Sequence, residues 1–417
     1  MPTRRDFLTH AAIPAILGAN VHATAQPASA LDMPNDIPRE LTPTNADLGT
    51  LYAHAKELAE ANRYAYSFLG DRFKTLDEFK QAGREKVFEA FAYKPTKVEP
   101  KPEVIERVEC DGYTREKIVF ATTPQFRVPA YVLIPKNLKK PAPAIVDLHS
   151  HGGMFLFGKE KVIDFGKNHD VMTGYHDRNY NGQPTATALV RRGYVVIVID
   201  AFMFGERRVM MDADAKLGWN RAKYTVADVL ALNAKCRAKE STIVKGLTLA
   251  GLTWPGVVTW DDIRTVDYLA SRADVDAKRI GCLGISMGGH RALYLAGLDD
   301  RIAAACVVGF MSTVRPMVKS HLDTHSFVHF VPHLHRWLDL PDVVSMAAPR
   351  ALFVQQCEKD GLFPLAGMKE SLEVIAKVYE KGGVKDKFTG RFYDVPHKFT
   401  KDMQADAFAF LDRHLKG

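Results

Sequence analysis

The sequence predicts an α/β protein built on a doubly wound, mostly parallel sheet that is entered through antiparallel strands. Three observations carry this. Short apolar runs of four to six residues, rich in Val and Ile, recur at 144–148, 194–199, 279–283, 303–308 and 351–354, as strands buried on both faces require. Helical periodicity fills the intervals, at 260–271, 287–298 and 368–381. Ahead of the first run, segments at 104–109, 115–121 and 128–134 are joined by turns such as Cys110-Asp111-Gly112 and read as antiparallel strands.

Taken from the N-terminus, the first thirty residues read as an address. Met1-Pro2-Thr3-Arg4-Arg5-Asp6-Phe7-Leu8 leads into a weakly apolar stretch at 11–21 and then small residues to Ala30. A basic pair, a short apolar region and an Ala-x-Ala exit, with cleavage after Ala25 or Ala30, describe an export signal of the twin-arginine type. The expected mature protein is therefore periplasmic or secreted, and its first partner is the twin-arginine export machinery. No stretch reaches the ~20 apolar residues of a membrane helix, so no integral membrane segment is expected in the mature protein.

Residues 31–103 read as a helical extension, with Leu51, Ala55, Leu58 and Ala59 at helical spacing, closed by a linker containing Pro95, Pro100 and Pro102. Residues 104–417 then form one large α/β domain with insertions at about 205–255 and 311–343, the second rich in histidine. Insertions of this size at the carboxyl edge of a parallel sheet usually cover a site. The last elements are a strand at 392–395 and a helix at 402–415.

Composition narrows the function classes. At 417 residues, 47% hydrophobic and 25% charged, the chain is globular rather than disordered or fibrous. Its 56 Lys and Arg against 49 Asp and Glu give +7, but the charges are dispersed, so no nucleic-acid interface is expected. Five cysteines, an odd number without a C-x-x-C pair, indicate neither a disulfide framework nor a zinc knuckle.

The residues that carry chemistry follow. Strand 279–283 runs into Gly284-Ile285-Ser286-Met287-Gly288 and then a helix, a G-x-S-x-G sequence in the strand, sharp turn and helix context that gives it meaning. Ser286 is the expected nucleophile. A serine hydroxyl needs a base that is itself oriented by a carboxylate. In the order serine, acid, histidine, Asp360 follows the 351–354 strand and His397 follows the last one; Glu358 competes with Asp360 for the acid's place. The oxyanion donors are expected to be the N–H of Met287 and that of His151 or Gly152, in the glycine-bearing loop His149-Ser150-His151-Gly152-Gly153. His149 and His290 are candidate substrate contacts, and His290 is alternatively a hydrogen-bonded histidine packed under the turn. A metal held by His149 and His151 is the rival reading; no carboxylate or cysteine stands nearby at ligand spacing, so no metal or cofactor is expected. Asp261, Asp262 and Arg264 read as capping and surface-pairing residues at the start of helix 260–271.

With these residues in place, the span from 104 to 415 resembles the α/β-hydrolase superfamily, and within it the dienelactone-hydrolase and acetyl-xylan-esterase-like branch. The likeness rests on Leu148 to Gly153, Trp260-Asp261-Asp262, Val275 to Gly281, the Gly284 to Gly289 turn, Asp360 to Pro364, and Pro396-His397. Serine stands where true dienelactone hydrolases carry cysteine. The resemblance implies ester hydrolysis through an acyl-serine intermediate, with an acetylated or otherwise esterified carbohydrate, or a small ester, as substrate. The basic balance also suits uronate-containing polymers. A prolyl-oligopeptidase-like peptidase shares the fold and the triad, and a catalytically silent binding protein on the same fold is the remaining alternative.

Overall fold

Val and Ile at successive positions put branched side chains on both faces of a strand, and such strands are stable only between two layers. The computed structural model, which describes residues 44–217 and 223–417, shows this arrangement. Strands β1 (Glu103–Glu109), β2 (Tyr113–Ala121), β3 (Arg127–Pro135), β4 (Ala142–Leu148), β5 (Val195–Ile199), β6 (Val275–Ile285), β7 (Ile302–Val308), β8 (Ala351–Cys357) and β9 (Phe388–Tyr393) form one sheet in the order β1-β2-β3-β5-β4-β6-β7-β8-β9. β1, β2, β3 and β5 pair antiparallel; from β5 through β4 to β9 every pairing is parallel.

The described helices are α1 (Tyr52–Ala61), α2 (Leu76–Phe91), α3 (Asp170–Tyr180), α4 (Thr185–Arg191), α5 (Val226–Leu249), α6 (Trp254–Ala270), α7 (Met287–Leu298), α8 (Leu340–Ser345), α9 (Leu365–Lys381) and α10 (Lys401–Leu415). Side chains from α2, α6, α7, α8 and α9 pack with Val146, Ile197, Cys282 and Val354 in one apolar core. Those from α3, α4 and α10 pack with Ile145, Val196, Leu283 and Phe353 in the other. Alternate residues of one strand thus enter opposite cores, as the period of two demands.

The extension is tied into this frame. α2 begins in a capping box at Thr75 and delivers Phe79, Val87 and Phe91 into the first core. No strand precedes Glu103 among the described residues, and no described helix is long and apolar enough to cross a membrane. The signal region lies outside the described residues.

Several boundaries depart from the sequence expectation for physical reasons. α6 starts six residues before 260, with Thr253 capping it and Pro255 in its first turn, where a missing N–H leaves nothing unpaired. Asp261, Asp262 and Arg264 are consequently mid-helix and buried rather than at a surface start. β8 continues through Gln355 and Gln356, whose side-chain amides donate to Tyr393 Oη, the Met403 carbonyl and the Met311 carbonyl, at 2.7–2.9 Å. β9 occupies Phe388–Tyr393 instead of 392–395.

Candidate active site

β6 ends at Ile285 and α7 begins at Met287, so Ser286 alone turns the chain. Its φ of 60° and ψ of −124° lie where non-glycine residues are strained, a conformation that must be held by its surroundings. The glycines on either side make room for it. A Cβ at Gly284 would stand 2.6 Å from the Gly288 and Leu148 carbonyl oxygens, and one at Gly288 would run into the Leu148 carbonyl. Ser286 N–H donates to the Val308 carbonyl at 3.0 Å, anchoring the turn to β7. Met287, as the first residue of α7, has an N–H with no acceptor inside the helix, at the positive end of the helix dipole.

Two further residues reach the same place from distant segments. His397 Nδ1 lies 2.6 Å from Asp360 Oδ2, and the other Asp360 oxygen accepts the Leu362 N–H at 2.9 Å. An ionised carboxylate accepts only, so Nδ1 carries the proton and Nε2 is left as the basic nitrogen. The Asp360 side chain is fully buried, whereas Glu358 is exposed. The geometry therefore pairs His397 with Asp360 and leaves Glu358 in solvent.

The loop after β4 is fixed from below. His149 is buried, with Nδ1 on the Ser150 carbonyl at 3.0 Å and Nε2 accepting the Ala201 N–H at 3.1 Å. Both nitrogens are thus committed to backbone, and burial together with Lys161 and Arg291 holds its pKa well below the usual value. Lys161 is also buried and donates to the Ser150 and His151 carbonyls at 2.8 and 3.0 Å. Arg291, one residue after His290 on α7, forms a buried two-pronged pair with Asp262 of α6 at 2.6 and 2.9 Å. Neither Lys161 nor Arg291 stands in a recognisable motif, and Asp262, expected as a surface-pairing residue, instead meets Arg291 in the interior.

These elements surround one cavity of about 460 Å³, lined by Ser150, His151, Gly152, Gly153, Ser286 and His397 together with residues of both insertions. Arg237, Glu240 and Ser241 of α5 come from the first; Asp323 to Phe327 and His329 come from the second. His151 and Gly152, the expected oxyanion-loop residues, line the cavity, whereas His149 and His290, the two expected substrate contacts, do not. His290 is buried, its ring 4.8–4.9 Å from those of Tyr294, Phe310 and His329. It is packed as the alternative reading expected but, contrary to that reading, has no hydrogen-bond partner among the described residues, and burial lowers its pKa to about 3. Among the described residues no group of three or more His, Cys, Asp or Glu is arranged to hold a metal.

Set beside known proteins, the chain matches a family model described as the Abhydrolase family over residues 48–409. The protein named "Putative hydrolase YtaP" of Bacillus subtilis (strain 168) is 29% identical over 290 residues, covering 69% of this chain and 84% of that one. Among solved structures, a "putative acetyl xylan esterase" from Bacteroides fragilis NCTC 9343 has a TM-score of 0.64 at 21% identity, with 85% of this chain and 86% of that one covered. A glucuronoyl esterase from Solibacter usitatus has a TM-score of 0.56 at 16% identity, covering 81% and 92%. At these identities the structural likeness establishes the fold, an α/β-hydrolase sheet entered through antiparallel strands.

Proposed function

The chain belongs to the Abhydrolase family, and from that premise we propose that it is a serine ester hydrolase working through an acyl-serine intermediate. One observation carries the proposal: Ser286 at its strained turn and His397, whose Nδ1 is held by Asp360, line a single cavity. Ser286 Oγ attacks the ester carbonyl carbon while His397 Nε2 takes its proton. The Met287 N–H and that of His151 or Gly152 receive the oxyanion. Collapse of the tetrahedral adduct expels the alcohol, protonated by His397, and leaves the acyl group on Ser286. A water deprotonated by His397 then attacks, the Ser286 oxygen leaves, and the acid is released.

The substrate class we favour is an esterified carbohydrate, acetylated or otherwise. The cavity wall is polar, with Ser241, Thr324 and His325 among its lining residues, which suits the hydroxyl-rich surface of a sugar. The acetyl xylan and glucuronoyl esterases among the structural neighbours accord with that choice. The Thr3 to Leu8 pattern supports export, placing such a substrate outside the cytoplasm.

The test is labelling with a fluorophosphonate probe alongside turnover of p-nitrophenyl acetate, acetylated xylan and aminoacyl amides. Wild type is expected to label and to hydrolyse esters, and Ser286→Ala to lose labelling and at least ~10³-fold of kcat. Labelling that survives Ser286→Ala, or amide turnover without ester turnover, overturns the reading.

A further inference from the structure

We propose that Arg237 is a specificity residue that binds a free carboxylate, so that the preferred substrate is an ester carrying a second, un-esterified acid group; this rests on the esterase reading above. Asn233, Arg237 and Glu240 are spaced four and three apart and share one side of α5. That side lies over the loop after β4. Asn233 Oδ1 accepts the Phe155 N–H at 2.6 Å, and its Nδ2 donates to the Gly153 carbonyl at 2.7 Å. Glu240 Oε1 accepts from Ser326 Oγ at 2.8 Å and from the Phe327 N–H at 3.0 Å, while its Oε2 stands 3.8 Å from His151 Nε2. These two residues fasten the first insertion to the oxyanion loop and to the second insertion.

Arg237 stands between them. Its guanidinium lies against Gly153, where φ is +65° and a Cβ would run into the arginine. It lines the cavity that holds Ser286 and His397. Among the described residues it has no carboxylate at ion-pair distance and no hydrogen-bond acceptor. The other cations beside this loop are used within the protein: Lys161 on the Ser150 and His151 carbonyls, Arg291 on Asp262. Arg237 is therefore the cation at this loop whose donors are left for a ligand. A guanidinium presents its N–H groups in a planar fork that matches the two oxygens of a carboxylate.

The charge of the cavity as a whole does not attract anions, because Asp323 and Glu240 line it too. A preference for an acidic ester must come from the directed Arg237 contact, which makes the inference sharp. The experiment compares matched esters on the full chain, corrected for spontaneous hydrolysis. On the acyl side the pair is mono-4-nitrophenyl succinate against 4-nitrophenyl butyrate; on the alcohol side it is 4-acetoxybenzoate against phenyl acetate. In at least one pair the acidic ester is expected to have a kcat/KM about 10-fold higher, chiefly through KM. Arg237→Gln should cut that ratio at least fivefold, and Arg237→Lys should retain part of it. A ratio of one or less in both pairs, or one that survives Arg237→Gln, overturns the inference. Failure of the esterase reading looks different, with no turnover of any ester and no labelling of Ser286. In that event calorimetric binding of succinate decides: a Kd weakened at least fivefold by Arg237→Gln supports the site, and equal affinity or no binding removes it.

Discussion

At the scale of single residues, the proposed chemistry depends on which imidazole nitrogen of His397 is left free. Asp360 takes Nδ1 at 2.6 Å, and a Leu362 N–H holds the carboxylate in turn. Asp360→Asn preserves the shape but offers an amide N–H to Nδ1, which drives the ring to the tautomer with its proton on Nε2 and removes the base. The expected result is a kcat lower by about 10³–10⁴ with little change in Tm, measured by steady-state ester hydrolysis and thermal melting. Glu358→Gln, in solvent, should leave kcat within about twofold. A turn motif and the chain order mark Ser286 and His397 in the sequence, and both line the same cavity in the structure. Asp360 was preferred to Glu358 on its place ahead of a helix alone, since both follow β8 within three residues. Backbone geometry separates them: the Glu358 N–H is drawn to the Tyr393 carbonyl and its side chain is exposed, whereas Asp360 is turned inward.

At the scale of elements, the serine turn works because β6, α7 and the end of β4 meet with almost no space between backbones. Replacing Gly288 by Ala within a helix would ordinarily gain about 1 kcal/mol from helix propensity. Here the new methyl meets the Leu148 carbonyl, which cannot retreat without moving the loop that carries His151 and Gly152. The steric term should win, with Gly288→Ala destabilising by about 1–3 kcal/mol in urea unfolding and losing ester turnover beyond what stability explains. A variant as stable as wild type would show that the loop yields freely. The central strands were readable from their Val and Ile runs, but two element ends were hidden by the side chains that define them. The expected insertion ended at about 255 and the helix began at 260, yet Pro255 serves as a first-turn residue of α6; the expected strand ended at 354, yet Gln355 and Gln356 are strand residues with internal amide partners. Likewise Asp262 is a surface residue by type, and only the packing of α6 on α7 brings it to Arg291, 29 positions away. Breaking that pair in the interior, as in Asp262→Ala, should cost about 3–5 kcal/mol by leaving Arg291 uncompensated, a loss readable in the same unfolding experiment.

Over the whole molecule, the buried titratable groups set how stability follows pH. Burial lowers the pKa of His149, His151, His176, His290, His325, His329 and His335, to about 3 for His290 and about 4 for His335. For a histidine whose folded pKa is depressed, the stability it allows is intact above the unfolded value near 6.5 and is lost as pH falls toward the folded one, because only the unfolded chain takes up the proton. Four buried acids act in the opposite sense. Burial raises Asp147 and Asp339 to about 7, Asp342 to about 6, and also raises Asp262, so their contribution is full at low pH and is lost as pH rises from about 4 through those values. The two sets overlap between pH 4 and 7, and the seven histidines outnumber the four acids, so Tm should fall as pH drops from 7 to 4.5. His290 offers the cleanest test, because its ring is packed among Tyr294, Phe310 and His329 without a hydrogen bond, an environment that phenylalanine suits. At pH 5 its depressed pKa costs about 2 kcal/mol, from about 1.4 kcal/mol per pKa unit. His290→Phe should therefore flatten the acid limb by roughly that amount while changing stability little at pH 7.5, measured as urea unfolding at pH 7.5, 6 and 5. An acid limb as steep in the variant as in wild type would mean that His290 takes up its proton in the folded protein.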